Sequence, residues 1–466
     1  MSRHFWQGQW LNQEALLENT DQLRTSILSA YSVKFELEEF YRACDRFSKR
    51  LREDQTLRTK LTESLTDDND AQGVIDEISD FLIEGHLRHK VKAEFGVDNP
   101  FRSQRISYQN STFESWFPLG FLVQILASNA PSLAVLSALE GLLTGNINFI
   151  KLSLRSSDFT LYFFEEFFKD PFIKPLSKFV IVAKISSKET DLLRKIMQEA
   201  DGIVAWGGEE SLAQIRNMAP ARARLIEWGH RISFTYISEK TLSRESSYIQ
   251  SIIDSVATDI FKLNQQACSS PQCIFIENAD FKVLKKFGEA LSLACTEQAK
   301  KCEPTEPSDM EAAEISRVVQ VVMTEKALKD DFTDVIECPK GTFRILIDTR
   351  PGLRASPLYR TVWLKPINRD QIISLLRPLS SYLQTVGLAC EREELFDLSQ
   401  KFYQAGATRI RPVGGMLSSY AGEPHDGVPA LTRYMKKVSL EQNCDLDSYA
   451  TLDDLQKTPL KFANWP

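Results

Sequence analysis

Among eight cysteines in the chain, Cys268 stands apart. The stretch NQQACSSPQ, Asn264 to Gln272, surrounds it with small and hydrogen-bonding side chains, where a strongly hydrophobic chain turns abruptly polar. A thiol attacks carbonyl carbon only as the thiolate, and helix termini or donors such as Gln265, Gln266, Ser269 and Ser270 favour that form. The competing reading is a small buried hydrophobe, which describes most cysteines. Cys268 and Cys273 are separated by four residues, with no histidine or second pair nearby to complete a zinc site. No metal is expected.

Three other loops carry residues of chemical interest. In LASNAPS (126–132), Asn129 and Pro131 close one apolar run and open a helical one, so Asn129 reads either as a polar donor or as an Asx-turn before the proline. In KLSLRSSD (151–158), Lys151 ends an apolar run, and Ser156, Ser157 and Asp158 can cap the following helix. In WGGEES (206–211), Gly207 and Gly208 let backbone approach a ligand closely, or simply form a tight turn. No GxGxxG fingerprint is present.

The elements that must position these residues follow from periodicity. Residues 1–110 are rich in Leu, Glu, Lys and Arg at helical spacing and read as a helical N-terminal region, its charges a solvated face. From Gly120 short apolar runs alternate with amphipathic ones: FLVQILA, PSLAVLSALEGLLTG, INFIKL, SDFTLYFFEEFFKD, FVIVAKI, KETDLLRKIMQEA, GIVAWG, EESLAQIRNM. Strands each followed by a helix predict a parallel sheet covered on both faces, with ligand sites at the strands' carboxyl ends. A second alternating α/β unit follows about residue 235. The predicted layout is a cofactor-type domain over 111–235, a cysteine-bearing domain over 236–415, and a closing or oligomerising segment over 416–466 containing His425, Asp426 and Gly427. The phenylalanines of FTLYFFEEFF (159–168) read as core before they read as a lipid tunnel.

Composition excludes several classes. At 466 residues, more than one core is required. A net charge of -7 offers no general attraction to nucleic acid or anionic membrane. The first twenty residues lack the apolar centre of a signal peptide, and no run of about 18 apolar residues occurs, so a cytoplasmic protein without a membrane span is expected.

Taken in order, Asn129 before Pro131, GLLTGNINFIKLS (141–153), WGGEES, IEWGHRISF (226–234) and QQACSSPQ (265–272) resemble the aldehyde dehydrogenase superfamily. Within it the chain is similar to the long-chain fatty-acyl-CoA reductases, the family that includes the reductase component of bacterial luminescence. The similarity spans about 115 to 430, and QQACSSPQ is its most specific element.

This resemblance implies two doubly wound α/β domains, a small oligomerisation region, and reduction of an activated acyl group to an aldehyde. It makes Cys268 the nucleophile and Asn129 an oxyanion donor. Glu227 aligns with the glutamate that activates water in hydrolytic relatives, although Trp228 and His230 replace that family's glycine-rich surroundings. It is either a base for Cys268 or a structurally paired carboxylate, and His230 is a structural hydrogen-bonder. Lys151 matches the family's cofactor-ribose lysine, with Ser153 and Arg155 beside it and Gly207 and Gly208 flanking the pyrophosphate. NAD-preferring members usually carry Glu three residues after this lysine; here Leu154 stands there, followed by Arg155, which favours NADPH over NADH. The implied substrate is an acyl-CoA or an acyl-protein, with an acyl-protein synthetase or carrier protein as partner and a homo-oligomer as the assembly. The alternatives are a reductase fed only by such a partner, and a non-catalytic assembly subunit of the same fold.

Overall fold

The computed structural model describes residues 3–65, 71–107, 111–126, 131–328, 332–338, 341–441 and 449–454. The chain forms two compact units, one built from residues up to Gly229 together with the segment from Tyr420 onward, the other from His230–Ser419.

The first unit is organised by a seven-stranded sheet in the order Gln9–Leu11, His4–Trp6, Val180–Lys184, Ile147–Leu152, Phe121–Ile125, Gly202–Trp206, Arg224–Trp228. Its five later strands are parallel, with Phe121–Ile125 at the centre and the chain stepping outward first one way and then the other. Such a reversal of strand order leaves a crevice at the carboxyl ends of the central strands. The strands are buried along their length because helices cover the sheet, which is why they read as unbroken apolar runs.

The N-terminal region contains the expected helices, among them Leu37–Glu53, Ala71–Phe81 and Glu84–Phe95. It also opens with a hairpin, His4–Trp6 with Gln9–Leu11, which adds two antiparallel strands to the sheet beside Val180–Lys184. The turn residues Gln7 and Gly8 both have positive φ, 49° and 91°, the requirement of a two-residue hairpin turn. Helix Phe159–Phe167 buries Phe159, Phe163, Phe164 and Phe167 completely. Phe163 and Phe167 each meet Phe47 edge-on at 5.3 Å, so this aromatic run is core. Asp158 does not cap the helix: its own φ/ψ of -84°/4° is not the extended cap conformation, and its carboxylate pairs with Lys184 instead. In the closing segment, strand Met435–Glu441 pairs antiparallel with Thr112–Pro118, which in turn pairs with Gln104–Ser107.

The second unit holds another seven-stranded sheet, in the order Thr333–Glu337, Arg344–Asp348, Thr361–Ile367, Pro271–Glu277, Ile232–Ile237, Leu383–Ala389, Arg409–Pro412. Only its first pair is antiparallel. Alternate residues of Pro271–Glu277 feed separate cores on the two faces: Cys273 and Phe275 pack with Trp363 and Phe402, Ile274 and Ile276 with Leu284 and Leu291. The polar-looking stretch after Cys302 runs directly into a long helix, Asp309–Ala327, started by a reciprocal Ser308 and Glu311 capping box.

Candidate active site

Cys268 occupies a tight turn closed by the Ser270 N–H donating to the Ala267 carbonyl at 2.9 Å, immediately before strand Pro271–Glu277. It therefore sits at the amino end of its strand, not in a loop following one. The turn is held from below by Ser233, a fully buried residue at a bulge in the neighbouring strand Ile232–Ile237. Ser233 Oγ donates to the Cys268 carbonyl oxygen at 2.7 Å and accepts the Thr385 N–H at 3.1 Å.

The approach to the turn is unusual. Leu263, Asn264 and Gln265 all adopt left-handed backbone, with φ of 51°, 50° and 65°. Each such non-glycine residue costs roughly 1–2 kcal/mol, so tertiary contacts must hold the segment. The Gln265 amide supplies them. Its Nε2 donates to the carbonyls of Pro271 at 2.8 Å and Thr361 at 3.0 Å, and its Oε1 accepts the Thr361 N–H at 2.9 Å. Gln265 is thus a positioning side chain and not a donor to the thiol, and Gln266 donates to the Asn264 carbonyl.

Exposure separates Cys268 from the other described cysteines. Cys44, Cys273 and Cys295 are buried, Cys302, Cys338 and Cys390 are half-buried, and Cys268 is exposed. Burial pushes the Cys273 and Cys295 thiols up to about 12 and Cys390 to about 11, and raises Cys44 well above the ordinary range. Those thiols stay protonated and inert at neutral pH.

In the first unit, the carboxyl ends of the parallel strands carry the other expected residues. Lys151 lies next to Ile125 in register, on the strand beside the central one. It is 7 % exposed, and among the described residues no acceptor or carboxylate pairs with its ammonium. Burial lowers its pKa. A shielded ammonium without a described partner can donate to hydroxyl oxygens of a ligand, which accept without requiring a countercharge. Ser153 accepts the Arg155 N–H at 3.3 Å through its hydroxyl, and Leu154 and Arg155 are exposed. Asn129 falls among residues 127–130, outside the described residues.

Gly207 and Gly208 connect strand Gly202–Trp206 to helix Glu209–Met218. A Cβ at Gly208 would meet nothing within 4 Å, so the backbone there faces open space. The helix's first turn already holds Glu209 and Glu210. Glu227 points away from the apolar face formed by Ile226 and Trp228. Both its oxygens are taken by Arg216, at 2.6 and 2.8 Å, so it is a paired carboxylate in this arrangement.

Sequence reading passed over an aromatic cluster at the same strand ends. Trp206 and Trp228 stack at 5.3 Å. His425 lies edge-on to them at 5.0 and 4.6 Å, and the Arg433 guanidinium is 4.6 Å from the Trp228 ring. The tryptophans adjoin WGG and EWG in sequence, but nothing local marks their partners some two hundred residues on.

These two parallel-sheet units define an aldehyde-dehydrogenase-like fold. Betaine aldehyde dehydrogenase from Staphylococcus aureus superposes with a TM-score of 0.70 at 13% identity, over 96% of this chain and 97% of that one. Aldehyde dehydrogenase 21 from Physcomitrella patens gives 0.66 at 12% identity, over 91% and 90%.

Within that class the chain belongs to the acyl-CoA reductase (LuxC) family, whose model matches residues 33–437. Relatives named long-chain acyl-protein thioester reductase share 26% identity over 343 residues in Vibrio harveyi and 26% over 341 residues in Photorhabdus laumondii. Each match covers 72% of this chain and 67% or 66% of the relative, so about two thirds of the relatives' length is spanned. Among the described residues no helix is long and apolar enough to cross a membrane.

Proposed function

We propose that this protein reduces a long-chain acyl thioester to the aldehyde through an acyl-Cys268 intermediate, with NADPH as reductant. The observation that carries the reading is Cys268 itself, the exposed thiol among the described cysteines, braced by Ser233 and Gln265 in a chain of this family.

The Cys268 thiolate attacks the thioester carbon, a new C–S bond forms, and the donor's sulfur leaves as thiolate. Asn129 and the Cys268 N–H are assigned as donors to the oxyanion, each such donor being worth about 3–4 kcal/mol in the transition state. When bound, a nicotinamide would supply the hydride that the acyl carbon takes up. The carbonyl then re-forms and Cys268 is expelled with its electron pair, so one acyl thioester, one hydride and one proton give aldehyde and free thiol.

Lys151 is assigned to the cofactor ribose, Ser153, Gly207 and Gly208 to the approach of the cofactor phosphates, and exposed Arg155 would hold a 2′-phosphate. Leu154 presents no carboxylate to repel that phosphate. The relatives' names favour an acyl-protein as donor; a carrier or synthetase partner, a homo-oligomeric assembly and a cytoplasmic location complete the proposal.

The experiment is a time course with NADPH and acyl-CoAs of graded chain length, scoring aldehyde by mass spectrometry against Cys268→Ala. Aldehyde that depends on Cys268 establishes the reaction. Unchanged aldehyde formation by the variant overturns the covalent step, and cofactor binding without turnover shifts the donor to an acyl-protein.

A further inference from the structure

Beside the cysteine turn, the second unit contains a recess of ≈ 210 Å³ whose lining includes Asn264, Thr305, Thr342, Arg344 and Arg360. Asn264 belongs to the left-handed segment leading to Cys268, and its Nδ2 donates to the Thr305 hydroxyl at 2.7 Å. The one lining carboxylate among the described residues, Glu306, is exposed.

Arg360 is the anomaly. It is 2 % exposed, yet no carboxylate among the described residues pairs with it. Its Nη2 donates to the carbonyls of Cys302 at 3.2 Å and Glu303 at 2.7 Å, and its guanidinium lies 4.3 Å from the centre of the Phe261 ring. Among the described residues Nε and Nη1 are buried with no acceptor, and the Thr342 hydroxyl is buried with no partner. Burial lowers the Arg360 pKa, and the groups acting against that are the Cys302 and Cys295 thiols, not a carboxylate. By contrast, Arg344 is neutralised by Glu337 at 3.2 Å.

The backbone holding Arg360 there is itself strained. Leu358, Tyr359 and Arg360 all have left-handed φ, 63°, 49° and 59°. A cation without a countercharge and an orphan hydroxyl are both costly when buried. The complement of a guanidinium beside hydroxyls is an oxyanion, and phosphate is the oxyanion that such mixed donors bind well.

We propose that this recess is a phosphate-binding site in which Arg360 supplies the charge and Thr342 supplies a hydroxyl donor. The phosphate comes either from inorganic phosphate or from the CoA part of a thioester donor, and the second source rests on the reductase reading above.

Calorimetric titration of the full chain with inorganic phosphate, and separately with CoA, tests the site. Thr342→Val is the informative variant, because it removes a hydroxyl without a described partner at constant shape and is expected to leave the melting temperature unchanged or raised. We expect saturable phosphate binding, weakened about tenfold in Thr342→Val and lost in Arg360→Met. If CoA binding weakens in the same proportion, the donor's phosphate is the occupant; if only inorganic phosphate is affected, the free ion is. Absence of saturable phosphate binding, or equal affinity in wild type and Thr342→Val, overturns the proposal. Labelling of Cys268 by a thiol reagent in the absence of any CoA compound, compared between wild type and Cys268→Ala, reads the thiol of the reductase proposal separately, since no phosphate enters that assay.

Discussion

The Ser233 hydroxyl and the Cys268 carbonyl are joined by a 2.7 Å hydrogen bond that ties the turn of the proposed nucleophile to the sheet of the second unit. Ser233 simultaneously accepts the Thr385 N–H, so one buried hydroxyl bridges two strands and the turn. Ser233→Ala leaves both backbone groups without this partner, at about 1–3 kcal/mol. The expected result is a lower unfolding free energy in urea, together with an altered rate of Cys268 labelling by a thiol reagent. An unchanged labelling rate in folded protein would show that the bridge does not position the thiol.

Gln265 makes three hydrogen bonds from a fully buried amide. Replacement by Leu strips the support from three left-handed residues and orphans the Thr361 N–H. The expected loss is about 2–4 kcal/mol, read by thermal melting. Gln265→Glu is expected to be damaging as well, because a carboxylate accepts from Thr361 N–H but cannot donate to the Pro271 and Thr361 carbonyls.

The Glu227 carboxylate lies in a bidentate pair with Arg216, whose own side chain is exposed. Such surface pairs are worth under about 1 kcal/mol. Arg216→Ala is therefore expected to leave the melting temperature nearly unchanged. Comparing the pH profiles of Cys268 labelling in Glu227→Gln and wild type then tests the carboxylate's chemical role. Superimposable profiles are the outcome that a purely paired carboxylate requires; a shifted profile assigns Glu227 to the thiol's deprotonation.

Asp259 accepts the N–H groups of Gly414 at 2.6 Å and Met416 at 3.2 Å, while burial raises its pKa to about 6. Below about pH 4 the group is protonated in both folded and unfolded chains. Between there and about 6 the folded chain binds more protons, so this group's contribution to stability falls as pH rises and is flat above 6. The expected span is on the order of 1–3 kcal/mol. Urea unfolding between pH 4.5 and 7 should show that slope in wild type and lose it in Asp259→Asn.

Much of the fold was visible because its signals are local. Unbroken apolar runs such as INFIKL mark strands buried on both faces, and amphipathic runs such as KETDLLRKIMQEA mark the helices Thr190–Met197 and its counterparts that cover them. Two further signals are equally local. The Gln-Gly pair in WQGQW marks the opening hairpin, and the Ser308 to Glu311 spacing marks the start of helix Asp309–Ala327. Strand Met435–Glu441 lacked such a mark: it is largely exposed, and its register comes from pairing with Thr112–Pro118, more than three hundred residues earlier.

The sequence by itself determined the alternating α/β architecture, the family, and Cys268 as the residue around which to reason, because short-range periodicity and a contiguous motif carry each of them. Only the tertiary structure decided that Glu227 is held by Arg216, that the Gln265 amide braces backbone, that Ser233 anchors the cysteine turn, and that Arg360 is buried without a countercharge among the described residues. Those facts depend on hydrogen-bond geometry and desolvation between segments far apart in the chain, and no local pattern of residue types encodes which buried donor meets which acceptor.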